Sequence, residues 1–294
     1  MKKIGDIIHL IRVRQWVKNT FLFIPIFFAG EIFNTEKFWA VFYGFLIYSI
    51  SASAVYILND IRDIDADRIH PEKSKRPLPS GAVSIVTAYI LFLFLLTAGL
   101  VLSYLLNPYF FYILLTYILF NIAYSLGLKK ISILDLMIVA AGFVLRVIAG
   151  GVVAEVEVSH WLILMIFLLS LFIVLAKRRD DLVEAKNSGK VLRDSCKHYN
   201  LDFVHSILTM LSAVLLTAYI MYTLSDAIQT QFQTDHLYLT SVFVIAGVMR
   251  YIQITMVENR SGYPTRILYT DKFIHYTLAG WTICFFLIIY ILKS

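Results

Sequence analysis

Charge is scarce in this 294-residue chain: Asp, Glu, Lys and Arg make up 16% of it, where a soluble domain of this length carries about a quarter. Cysteine is scarcer still. The two present, Cys196 and Cys284, cannot build a disulfide framework, and no Cys/His spacing has the form of a zinc site. Linkers and low-complexity tracts are missing, so no separate soluble domain is expected and residues 1–294 read as a single transmembrane domain. The N-terminus lacks the form of a cleavable signal. Lys2, Lys3 and Asp6 are followed by Arg12 and Arg14 before an apolar core can form. Residues 1–11 read instead as an amphipathic lead-in lying on a membrane surface.

What is abundant is apolar. Hydrophobic residues make up 59% of the chain, and the mean hydropathy is +0.75. They fall in long blocks separated by short polar stretches, the pattern of a multi-span, all-α integral membrane protein. Runs near the ~20 residues needed to cross a hydrocarbon core predict about nine spans, at 19–34, 38–58, 83–106, 109–126, 133–153, 160–176, 204–223, 238–255 and 274–292. Two cytoplasmic loops, 59–82 and 177–203, are too short to fold alone and are expected to form a polar cap.

Basic residues set the orientation. Of the 26 Lys and Arg, 22 fall at the N-terminus or in the loops after even-numbered spans. The other loops carry Glu31, Glu36, Glu155, Glu157, Asp226 and Asp235. That bias puts the N-terminus in the cytoplasm and, with nine spans, the C-terminus outside. It also accounts for the net charge of +6 without any nucleic acid.

One segment runs against the bias. Asn59-Asp60-Ile61-Arg62-Asp63-Ile64-Asp65-Ala66-Asp67 follows the second span, and a continuing helix stacks Asn59, Asp63 and Asp67 at i, i+4 and i+8. Two carboxylates and a carboxamide on one edge suit Mg²⁺, which takes one or two carboxylates plus substrate phosphates and waters. Next comes His70-Pro71-Glu72-Lys73-Ser74-Lys75-Arg76-Pro77-Leu78-Pro79, stiffened by three prolines and positively charged. An acidic ridge beside a basic loop suits a metal–diphosphate complex.

Further candidates lie at the other cytoplasmic ends: Lys18 and Asn19, Tyr124, Lys129 and Asp135, and Lys177-Arg178-Arg179. Arg146 is the most informative single residue. It sits within the fifth span, where a guanidinium costs at least about 2.5 kcal/mol unless it meets an anion or a wet cavity. An internal ion pair is one expectation and a phosphate-lined cavity the preferred one. Every conspicuous polar cluster falls on one side, which favours an enzyme joining a cytoplasmic polar substrate to a membrane lipid over a transporter.

Asn59-x₃-Asp63-x₃-Asp67 behind a span, nine predicted spans, and Tyr124 with Lys129 in the second cytoplasmic loop resemble the UbiA superfamily of membrane prenyltransferases. That resemblance implies nine helices around a central cavity open to cytoplasm and bilayer, with Mg²⁺ and diphosphate on the first Asp motif. The second acidic motif of the aromatic prenyltransferases is missing after Lys129-Lys130, where only Asp135 follows. Gln15-Trp16-x-Lys18-Asn19, Asp67-x₂-His70-Pro71-x-Lys73, Leu145-Arg146, Ala149-Gly150, Lys177-Arg178-Arg179 and Ser261-Gly262-x-Pro264-Thr265 are similar instead to the decaprenyl-phosphate phosphoribosyltransferase branch. The branch implies phosphoribosyl diphosphate and a polyprenyl phosphate as substrates, and a product leading to lipid-linked arabinofuranose in the cytoplasmic membrane. For that chemistry Asn59, Asp63 and Asp67 are expected to hold Mg²⁺, and Arg146 and Lys129 to anchor the lipid phosphate. Lys73, Arg76, Lys177 and Arg178 fall to the ribose 5-phosphate or leaving diphosphate. Lys18, Asn19, Arg62, Tyr124 and Asp135 line the same site, and a homo-oligomer is admitted. The alternative is an aromatic polyprenyltransferase of the 4-hydroxybenzoate or menaquinone type. A CDP-alcohol phosphotransferase would need a DG-x₂-AR run that Asn59-Asp60-Ile61-Arg62 does not supply.

Overall fold

The computed structural model describes residues 2–69, 73–188, 194–261, 267 and 269–291. Residues 70–72, and with them His70, Pro71 and Glu72 of the basic loop, lie outside the described residues, as do 262–266 of the Ser261 motif. Every regular element among the described residues is helical. The long helices are α3 (Thr35–Arg62), α5 (Ile85–Leu106), α6 (Pro108–Leu126), α7 (Leu134–Ala154), α8 (His160–Ser188), α9 (Leu201–Leu224), α11 (Ser241–Met256) and α12 (Lys272–Phe286). Shorter ones are α1 (Lys2–Leu10), α2 (Ile24–Phe28), α4 (Ile64–Ile69) and α10 (Asp226–Phe232).

Sequence punctuation explains where the long helices start. Asn34, Ser84, Asn107, Asn200 and Asp271 each accept a backbone N–H of the first turn, satisfying donors that a helix leaves open. Pro108 occupies the first position of α6, where its missing N–H is no loss.

Eight stretches among the described residues are long and apolar enough to cross a membrane, where nine spans were expected. The difference lies at 19–34. Val13–Phe23 is a 3₁₀ helix and α2 has only five residues. Pro25 has no N–H to continue an α-helical ladder back to Phe21, and the cap N–H of Ile24 bonds Phe21 O at the tighter 3₁₀ spacing.

The most apolar span is the least buried. In α5 only 11% of the membrane-length window is buried, whereas in α3 it is 61%. Val86, Ile90, Phe94 and Leu105 face outwards. Such a surface is stable against lipid and not against water.

By its internal contacts the chain forms two compact units, Met1–Gly127 with Gly142–Val158, and Leu128–Ala141 with Ser159–Ser294. In the first, α3 packs on α5 and α6. Its inner face carries small residues, Ser49, Ser51, Ala52, Ser53 and Ala54, all buried, which lets neighbouring backbones approach closely. A Cβ on Gly99 of α5 would stand 2.1 Å from Ser51 Oγ. The end of the lead-in docks on α3. Leu10 is buried, Ser53 Oγ donates to Ile11 O at 2.7 Å, and Trp16 Nε1 donates to Ser53 at 3.0 Å. In the second unit α8 packs on α9 and α11 on α12. Arg250, within α11, pairs with Asp271 at 2.6 Å and Glu258 at 2.7 Å. The Arg250 guanidinium holds the Asp271 carboxyl below its ordinary range.

Candidate active site

The acidic segment keeps helical spacing across a small break. α3 ends at Arg62 and α4 begins at Ile64, with Asp63 between them as the cap. Asp63 N–H nevertheless bonds Asn59 O at 3.0 Å, and Asp67 N–H bonds Asp63 O at 2.8 Å. Two consecutive i to i−4 bonds therefore carry Asn59, Asp63 and Asp67 in helical register, as the spacing predicts.

Their surroundings are polar and cationic. Asp67, only 2% exposed, receives Arg76 at 2.6 Å and Lys73 at 3.6 Å. The stiff basic loop thus lies directly on the acidic ridge. Asn59 Oδ1 accepts from Ser125 Oγ at the end of α6, next to Tyr124, which is half-buried on the same last turn. Arg62 is exposed on the last turn of α3.

Asp60 was not among the expected site residues, yet it organises this region. It is buried and binds Arg12 through two contacts, with Arg76 at 3.3 Å on the same Oδ1. Arg76 therefore bridges Asp60 and Asp67. Asp60 and Asp67 are seven residues apart, which at helical spacing puts them on nearly the same side, where one Arg76 reaches both. Arg12, 48 residues distant, gave no signal in the sequence.

No group of three His, Cys, Asp or Glu close enough to hold a metal occurs among the described residues. The donor set here is two carboxylates and one carboxamide. This matches the way Mg²⁺ binds with substrate phosphates and water completing its shell. Asp63 and Asp67 are the residues that could hold it, with Asn59 beside them.

Arg146 lies deeper in the same unit and is 4% exposed. Its Nε donates to Asn19 Oδ1 at 2.8 Å, one Nη to Gly142 O at 2.7 Å, and the other to Tyr117 OH at 3.1 Å. The guanidinium also lies 4.8 Å from the Tyr117 ring centre, 5.2 Å from that of Tyr48 and 5.4 Å from that of Phe143. Asn19 is fixed in turn by Ser49 at 2.9 Å. Gly150 makes the arrangement possible, because a Cβ there would stand 2.0 Å from Leu22 O of the 3₁₀ segment. The expected alternative of an internal ion pair is not found: among the described residues every partner of Arg146 is neutral.

A second cation shares this environment. The Lys18 ammonium is lowered to a pKa of about 8, first by burial and then by the positive charges of Arg146 and Arg12. Tyr48 adds a buried hydroxyl with no hydrogen-bond partner among the described residues. Positive charge in a weakly polarisable setting with neutral neighbours is stabilised by a bound anion.

The second unit treats its charges differently. Asp135, 0% exposed, accepts Arg178 Nε at 3.0 Å and Ser195 Oγ at 3.1 Å on Oδ2, while Oδ1 has no hydrogen-bond partner among the described residues. Arg178 also reaches Asp181 at 3.2 Å. Both residues were expected to line a substrate opening; here they engage each other. Lys129 and Lys177 are half-buried. Arg179, buried, reaches His205 Nε2 at 3.2 Å, Asn259 Oδ1 and Met256 O at 3.4 Å, and Ser261 Oγ donates to Ala176 O at 2.9 Å.

Known proteins with related sequence or fold extend this picture. The decaprenyl-phosphate phosphoribosyltransferase of Mycolicibacterium smegmatis is 31% identical over 289 residues, covering 95% of this chain and 90% of that protein. Its namesake from Corynebacterium glutamicum is 30% identical over 298 residues, covering 99% and 89%. A UbiA homologue from Archaeoglobus fulgidus, solved bound to GPP and Mg²⁺, superposes with a TM-score of 0.71 at 20% identity, covering 99% of this chain and 100% of that one. The profile of the UbiA prenyltransferase family matches residues 20–269, and the chain belongs to that family of membrane transferases.

Proposed function

We propose that the protein is an Mg²⁺-dependent transferase of the cytoplasmic membrane that moves 5-phosphoribose from phosphoribosyl diphosphate to a polyprenyl phosphate, releasing diphosphate. Its relatives' names supply the substrate classes. The observation that carries the reading is the contrast inside the first unit. Carboxylates meet cations at Asp67 and Arg76, while among the described residues the Arg146 guanidinium has only neutral hydrogen-bond partners, with Lys18 as a second cation in its field. One half suits a metal-bound diphosphate and the other a monophosphate.

In the reaction a lipid phosphate oxygen bonds to ribose C1 as the C1–O bond to diphosphate breaks. Asn59, Asp63 and Asp67 would hold Mg²⁺, which when bound neutralises the charge gathering on the departing diphosphate. Arg76 and Lys73, resting on Asp67 in this structure, can exchange that carboxylate for phosphate oxygens. The attacking phosphate is already anionic, so no strong base is needed. Arg146 with Lys18 and Asn19 would anchor it. In the first unit Arg62 is a further phosphate contact in this reading, with Tyr124 near Asn59; in the second unit Lys129 and Lys177 are the candidates. Arg178 and Asp135, paired with each other, are framework residues in this reading.

The basic bias of the loops supports a site on the cytoplasmic face. The product, a lipid-linked phosphoribose, is suited to conversion into lipid-linked arabinofuranose. A polyprenyl diphosphate donor with an aromatic acid acceptor is disfavoured by the missing second acidic motif after Lys129-Lys130. Purified protein given labelled phosphoribosyl diphosphate, polyprenyl phosphate and Mg²⁺ tests the reading. Label entering the lipid fraction supports it; turnover of a prenyl diphosphate with an aromatic acid and no lipid-borne label overturns it.

A further inference from the structure

Ile133 precedes α7 with φ +67, a left-handed backbone that a β-branched residue adopts only under strain. Such strain amounts to about 1–3 kcal/mol and persists only where the surroundings impose it. The Ile133 side chain imposes nothing, being 56% exposed. The restraint comes from the backbone. Ile133 N–H donates to Tyr199 OH at 2.5 Å, and the adjacent Ser132 Oγ donates to Ser195 O at 2.6 Å. Both acceptors belong to a short stretch, Ser195 to Tyr199, of the loop before α9. Tyr199 is itself buried, with its ring stacked on Phe203 at 5.8 Å and an interplanar angle of 8°.

Two features show what this restraint controls. Ile133 closes the loop that carries Lys129 and Lys130 in a short 3₁₀ turn, Leu128–Lys130. Two residues on stands Asp135, whose carboxylate is gripped by Arg178 and by Ser195 of the same restraining stretch. The polar contacts from 195–199 therefore hold the loop at both its strained residue and its first helical turn.

We propose that Tyr199 is a positioning residue: its hydroxyl holds Ile133 in the left-handed conformation and thereby sets the Lys129-bearing loop for phosphate binding. This rests on the phosphoribosyltransferase reading only in the choice of substrate. Tyr199→Phe keeps the ring and removes the acceptor. A neutral hydrogen bond contributes about 0.5–1.5 kcal/mol, so a loss of about three- to tenfold in kcat/KM for polyprenyl phosphate, the substrate assigned to Lys129, is expected, mostly in KM. Glycine adopts positive φ without strain, so adding Ile133→Gly to Tyr199→Phe should recover most of that loss. A merely stabilising tyrosine would lower Tm without this rescue.

Hydrogen exchange on the full-length protein in nanodiscs gives a readout independent of turnover. Tyr199→Phe should speed exchange in peptides covering 128–135 and leave those of α5 and α6 unchanged. Unchanged exchange at 128–135, or kinetics that Ile133→Gly fails to rescue, would overturn the proposal. Wild-type protein without phosphoribosyl transfer would overturn the functional reading instead, while the exchange result still decides the role of Tyr199.

Discussion

Arg146 and Arg178 are both buried guanidiniums, and they are stabilised by opposite means. Arg178 is paired with Asp135 at 3.0 Å and Asp181 at 3.2 Å. Arg146 has one amide oxygen, one backbone carbonyl, one phenol and three aromatic faces. A buried ion pair satisfies itself, and its removal as a pair is often neutral for stability. A buried cation held only by dipoles and rings keeps its charge available. On the proposed function the difference separates a framework arginine from one poised for an anionic substrate.

Loss of the metal ligands is the most severe test of the acidic side of this contrast. Asp67→Asn should lower kcat by at least about a thousandfold, since metal stabilisation of a leaving group is worth several kcal/mol. Circular dichroism should stay unchanged. Full activity in that variant would remove Asp67 from the metal site.

The cationic side comes next. Arg146→Gln should raise the KM for polyprenyl phosphate by about 10- to 100-fold, the range for losing a hydrogen bond to a charged group. Arg146→Lys should recover little, because an ammonium cannot make the three-way contact with Asn19, Gly142 and Tyr117. If both variants kept the wild-type KM while losing Tm, Arg146 would be a framework residue like Arg178.

A pH profile sharpens the comparison further. The Lys18 pKa is lowered to about 8, so Lys18 is charged below that pH and loses its proton as the pH rises through it. kcat/KM for polyprenyl phosphate should therefore fall on the alkaline side of pH 8, reporting the free enzyme. Lys18→Arg should carry the plateau beyond pH 9. A profile identical in the variant would assign the limb to another group.

The smallest effect concerns Asp60, which clamps Arg12 and Arg76. Asp60→Asn should raise the KM for phosphoribosyl diphosphate by about three- to tenfold by loosening Arg76, the scale of a single weakened contact, with kcat nearly unchanged.

Much of this was legible in the chain because it is local. The helical register of Asn59, Asp63 and Asp67 follows from their spacing, and the caps at Asn34, Ser84 and Asn107 from residue type. Pro25 was equally visible, but the hydropathy of 19–34 outweighed it, and the segment proved to be 3₁₀ and a five-residue helix. What stayed hidden depends on distant partners. Arg146 stood out, yet its neutral cage is built by Asn19, 127 residues away, and Tyr117. The pairing of Asp135 with Arg178 spans 43 residues, so each looked like an independent substrate contact. The strain at Ile133 has no sequence signature, since nothing marks an isoleucine as left-handed.

One measurement bears most directly on the contrast between the two arginines: equilibrium binding of a short-chain polyprenyl phosphate in nanodiscs to Arg146→Gln and to the neutralised pair Asp135→Asn/Arg178→Gln. Arg146→Gln should bind about 10- to 100-fold more weakly than the wild type, while the neutralised pair, once folded, keeps wild-type affinity. Undiminished binding by Arg146→Gln, with affinity lost in the pair variant, would contradict the account.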